Sequence, residues 1–216
     1  MRVLRFVPVL LLLGSLGCQR VPSHLQPKDD LADVSWTLVD QDSQAVTFPD
    51  DFRGTPALVG YVYTFCPDVC PATTANMKRV RDAVEAAAGA GTTPLQLVSI
   101  SFDPTRDTPA VLKRYAEAWQ VDGTDWRFLT GDSTTVADLM NRMGVRVAIE
   151  PPEPPPVSRS DLAASDTTAP GPAADFYFIN HTDQVSLLDE QGRVVGVYGG
   201  SVTPTEILVE DVRALR

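Results

Sequence analysis

"PALVGYVYTFCPDVCP" (residues 56–71) holds an apolar, β-rich run, two cysteines four residues apart, and a proline after each cysteine. The run over 56–65 is almost unbroken in its apolarity, the pattern of a strand buried on both faces. A helix follows it, with Met77, Val80, Val84 and Ala87 on one face and Lys78, Arg79, Arg81 and Asp82 largely on the other. Gly89 and Gly91 end that helix. A buried strand feeding directly into a helix is the beginning of an α/β sheet.

The pattern repeats along the chain. "WTLVD" and "AVTF", separated by "QDSQ" (residues 41–44), predict an earlier hairpin. "LQLVSISF" (95–102) predicts a second buried strand, followed by "DPTRDTP" with Thr108 as N-cap and Pro109 in the first helical position. The next helix carries an apolar stripe of Val111, Leu112, Tyr115, Ala116 and Trp119. "WRFLT" (126–130) predicts a third strand, and Val136, Leu139, Met140 and Met143 a third helix. "FYFIN" (176–180) reads as a strand with His181 directly after it, and "VSLLDEQGRVVGVYG" as a hairpin turning at residues 189–192. "TPTEILVEDVRAL" closes as a helix with Ile207, Leu208 and Val212 inward. Alternating strands and helices define an α/β class: a central mixed or parallel sheet flanked by helices, with a β-hairpin near the C-terminus. Function in such sheets collects at the carboxyl ends of strands, where Cys66, Cys70 and His181 all fall.

The flanks read differently. Residues 1–17 combine Arg2 and Arg5, an apolar stretch too short for an ordinary span, and small residues leading to Cys18. That is a signal peptide of the lipoprotein type, with Cys18 as the lipidated new N-terminus; an uncleaved anchor and a buried cysteine are the alternatives. Ser15 departs from the leucine usual at such sites. Residues 18–33 read as a flexible tether and residues 34–216 as one domain. Within it, residues 150–175 are rich in Pro, Ala, Ser and Asp and read as a loop unable to bury a core of its own. The whole chain carries a formal charge of −10. Removing residues 1–17 leaves 16 bases against 28 acids, a balance that argues against nucleic acid as a partner.

The cysteine spacing admits a structural disulfide, a redox-active dithiol, or two ligands of a soft metal. A staple across so short a loop gains little chain entropy, which weakens the first. A residue before proline is pushed out of helical conformation, so Cys70 is expected as the N-cap residue with Pro71 first in the helix. A thiol at a helix N-terminus is expected to ionise more easily than a free one. Two thiolates suit Cu(I) or zinc but complete neither site. Of the two histidines, His24 lies in the tether, while His181 reads evenly as a third ligand or as a turn residue. Two Cys and one His would form a trigonal, copper-compatible site; structural zinc normally takes a fourth ligand.

Four stretches together, "YVYTFCPDVCP", "ISFDPTRDTPAVLKRYAEAW", "WRFLTGD" and "INHTDQVSLLDEQGRVVGVYG", resemble the Sco/SenC family of copper-binding proteins that help assemble cytochrome c oxidase. The resemblance spans about residues 36–216. It implies a thioredoxin-like fold and copper held by Cys66, Cys70 and His181, as Cu(I), with Cu(II) left open. It further implies delivery to the dinuclear copper centre of an oxidase subunit, with other copper chaperones or thiol reductases as further partners. Such a protein is a metallochaperone rather than an enzyme; residues 1–17 and Cys18, read as a lipoprotein signal, predict a lipid anchor on the periplasmic side of a bacterial cell envelope. The alternative is a thiol–disulfide oxidoreductase that uses the redox pair Cys66 and Cys70 to keep partner cysteines reduced. A thioredoxin-like peroxidase has no separate motif to support it. Asp103 reads as a turn residue before its helix, with a place near the site as the second reading. The 150–175 segment looks longer than the family carries there.

Overall fold

The computed structural model describes residues 21–88, 95–122, 126–150 and 177–215. In chain order the elements are β1 (Asp29–Asp30), β2 (Trp36–Asp40), β3 (Ala45–Phe48), β4 (Ala57–Val62), α1 (Val69–Ala88), β5 (Gln96–Ser101) and α2 (Pro109–Ala118). There follow β6 (Trp126–Thr130), α3 (Ser133–Arg142), β7 (Val147–Glu150), β8 (Phe178–His181), β9 (Val185–Leu188), β10 (Arg193–Tyr198) and α4 (Thr205–Ala214).

The main sheet runs β1-β10-β9-β4-β5-β6-β2-β3. Its middle is parallel, with β4 beside β5 and β5 beside β6, while β9 joins β4 antiparallel. All six residues of β4 are buried, as the unbroken apolar run predicts. The pleat divides them: Ala57, Val59 and Tyr61 face a core shared with α3, and Leu58 faces one built with α1, α2 and α4. Helices thus cover both faces. At Gly60 α1 packs tightly on the sheet, since a Cβ there would stand 2.5 Å from the Met77 sulfur. This mixed sheet flanked by helices, with the β9–β10 hairpin near the C-terminus, is the thioredoxin-like architecture expected.

Four sequence readings need correction. The stretch 21–33 does not stand off as a tether. Leu25 and Leu31 are fully buried, β1 pairs with β10, and His24 reaches the buried Asp211 carboxylate at 2.7 Å. Two leucines, the β1 pairing and ion pairs from Arg142 to Asp29 and Asp33 hold the segment down. Ile207 points outward, 47% exposed, and Val209 takes its inward place beside Leu208 and Val212. His181 ends β8 instead of following it. The fourth is β7, read as no element at all, which pairs antiparallel with β8 in a separate two-stranded ribbon. All four residues of β7 are exposed, so no buried alternation marked it. Cys18, residues 1–17 and residues 151–175 lie outside the described residues.

Candidate metal centre

Beyond β4 the chain turns tightly, the Cys66 N–H donating to the Tyr63 carbonyl at 3.2 Å. A buried carboxylate holds the turn. Asp107 accepts the Thr64 N–H at 3.0 Å, the Thr64 hydroxyl at 2.6 Å, and the Ser101 hydroxyl at 2.6 Å from the end of β5. Helix α1 then starts at Val69, so Cys70 lies inside the first turn and Pro71 is the third helical residue. The expectation that Cys70 sits outside the helix as N-cap fails here. A proline in the first turn removes an N–H that has no intrahelical partner anyway, so the helix begins earlier. The Cys70 N–H points instead at the Cys66 sulfur, 3.4 Å away, which stands where a capping oxygen would.

Both cysteines are free thiols, Cys66 9% and Cys70 1% exposed. Burial pushes the Cys70 thiol well above its ordinary pKa, against a lowering hydrogen bond from the Tyr63 backbone. The eased ionisation expected at a helix start is therefore overridden by desolvation.

His181 arrives from the other side of the site, paired with Val147 in the β7–β8 ribbon. Its Nδ1 lies 3.1 Å from the Thr182 carbonyl. That oxygen only accepts, so Nδ1 donates to it and Nε2 is the ring nitrogen left to face the thiols. Nε2 lies 3.4 Å from the Cys70 sulfur. The ring packs on Phe102, centroids 4.6 Å apart, and meets Tyr63 edge-on at 6.0 Å. Donor atoms of Cys66, Cys70 and His181 all lie within 4.8 Å of one another. An ion bonded at about 2.0–2.3 Å to nitrogen and sulfur in a trigonal plane would hold its donors ~4 Å apart, close to this spacing. A cavity of about 420 Å³ opens beside them, lined by Cys66, His181, Pro67, Asp68 and Phe178 among others. Phe65, 60% exposed, is the apolar side chain next to the thiol turn.

Asp103, read mainly as a turn residue, is 3% exposed and tied into the site's walls. It accepts the Tyr177 hydroxyl at 2.6 Å and pairs with the Arg106 guanidinium. Sequence reasoning missed Arg106, Asp107 and Tyr177. The available signal was "DPTRD": two acids and an arginine within five residues at the carboxyl end of a buried strand, where a plain turn needs no such charge.

Fold and cluster together define a class: a thioredoxin-like domain whose strand ends bring two thiols and an imidazole into one soft-donor site. The SCO1/SenC family model matches residues 25–216, and the chain belongs to that family. It is 23% identical over 207 residues to the SCO1 protein homolog of Bacillus subtilis, covering 95% of this chain and 92% of that one. Among solved structures it resembles Bradyrhizobium japonicum ScoI with copper bound, at 26% identity and a TM-score of 0.65, over 85% of this chain and 98% of that one. The apo Sco1 protein of Thermus thermophilus is similar at 26% identity and a TM-score of 0.64, over 89% and 94%.

Proposed function

We propose that this chain is a copper chaperone, binding copper through Cys66, Cys70 and His181 and delivering it to the dinuclear copper centre of a cytochrome c oxidase subunit. The observation that carries the reading is the convergence of two free thiols and one imidazole lone pair within 4.8 Å, drawn from segments more than a hundred residues apart. Two sulfurs and one nitrogen suit Cu(I) and are one ligand short of structural zinc. Family membership and the copper-bound ScoI relative support copper as the cargo. The oxidase as recipient rests on the resemblance to the family.

Retention at the membrane belongs to the same proposal: export by residues 1–17 and lipidation of Cys18 place the domain on the periplasmic side. Among the described residues no helix is long and apolar enough to cross a membrane.

The second reading, thiol–disulfide exchange on partner cysteines, draws on the same free pair. Cys66, the less buried thiol, would be the attacking one. His181→Ala separates the two. Copper affinity is expected to fall sharply while exchange by Cys66 and Cys70 continues; retained tight copper binding would remove His181 from the site.

A further inference from the structure

The two halves of the site are joined by a second set of contacts. The Arg106 guanidinium carbon lies over the Tyr177 ring, 3.6 Å from its centroid. It also lies within reach of Phe65 at 5.2 Å and Tyr63 at 5.6 Å. One of its nitrogens donates to the Tyr177 carbonyl at 3.0 Å, while Nε donates to Asp103, which in turn accepts the Tyr177 hydroxyl at 2.6 Å. Phe65 and Tyr63 belong to the turn that carries Cys66; Tyr177 immediately precedes the strand that ends in His181. Past His181 the chain is held separately, Asp183 accepting from the Thr73 and Ser201 hydroxyls and Gln184 donating to the Met143 carbonyl, but towards Tyr177 the ribbon has fewer anchors. β7 is wholly exposed and only Ile179 of β8 is buried. The Ile179 N–H to Tyr63 hydroxyl contact is long, at 3.5 Å.

We infer that Arg106 is a positioning residue: with Asp103 and Tyr177 it pins the strand carrying His181 against the turn carrying Cys66, and so brings the imidazole to the thiols. This rests on the reading of Cys66, Cys70 and His181 as the metal site. Arginine suits the role because its planar fork stacks on a ring and donates in two directions at once. Without the staple the thiols keep their own geometry, held by Asp107, while the imidazole is held from the Asp183 side alone and meets them less closely.

The test is a double-mutant cycle of Arg106→Leu and His181→Ala in the full-length chain, read by Cu(I) competition with a chelator and by X-ray absorption of the copper-loaded protein. Arg106→Leu alone is expected to cost about 10- to 100-fold in copper affinity, the range for losing an outer partner of a ligand. Its copper shell is expected to keep both sulfurs and show a weakened, longer or partly occupied imidazole nitrogen. In the His181→Ala background the same substitution is expected to change affinity little. An unchanged copper shell in Arg106→Leu, or an equal loss in both backgrounds, overturns the inference. Failure of His181→Ala to weaken copper binding would instead overturn the site reading itself. Tyr177→Phe, which keeps the ring and removes one hydroxyl, carries the same readouts if Arg106→Leu does not fold.

Discussion

Cys70 places its thiol in the first turn of α1, 1% exposed, and burial holds it protonated well past the ordinary thiol range. A metal entering the site must displace that proton. Copper affinity therefore rises with pH while the free thiol stays protonated, by about tenfold per pH unit for each proton displaced. Chelator-competition titrations between about pH 6 and 8 read the slope; a flat profile would mean that no thiol proton is lost on binding. At the same scale, His181→Ala is expected to weaken copper binding by more than about 100-fold, since losing a ligand costs more than losing its outer partner. The same competition assay reads it.

Among the elements, the cysteine turn depends on a carboxylate from a neighbouring loop. Asp107 is wholly buried, and desolvation raises its pKa despite the donors from Ser101 and Thr64. A carboxyl whose folded pKa lies above its unfolded one binds more protons when folded. Its contribution is therefore full below the unfolded value and is lost as pH rises through the raised folded value. Asp107→Asn is expected to lower stability by about 1–3 kcal/mol, because a buried hydroxyl loses its acceptor. It should also remove this part of the pH slope. Denaturant melts of both proteins across the acid range measure both effects.

Strands and helices with a strong period were legible in the sequence. β4 is a continuous apolar run, α2 starts with Thr108 and Pro109, and the β9–β10 hairpin turns through Asp189 to Gly192, with Gly192 at a φ of +79°. The three site residues were legible as chemistry, two thiols without a partner and a histidine at a strand end. Their meeting was implied by the family resemblance and not by local pattern, since the ribbon that carries His181 includes β7, whose exposed residues carry no periodic signal. Nor was the start of α1 legible, where the preference of pre-proline residues yielded to a helix that tolerates proline in its first turn.

At the scale of the molecule, the segment before β2 joins both sides of the sheet: Leu25 packs into the core under α1 and α4, Leu31 into the core under α3. Removing residues 1–33 is expected to destabilise the domain by about 3–6 kcal/mol, from two buried leucines at about 1.5–3 kcal/mol each. Removing residues 1–20 is expected to spare this packing. Thermal melts of the two truncations measure the difference. If both melt alike, the segment contributes no stability.

The central claim is that one soft cation is shared by a paired thiol turn and an imidazole brought from far along the chain. X-ray absorption at the copper edge, on protein reduced and loaded under anaerobic conditions, tests it most directly. A single copper per chain is expected, bonded to two sulfurs and one imidazole nitrogen. A shell of sulfur alone, or of oxygen and nitrogen alone, would contradict it.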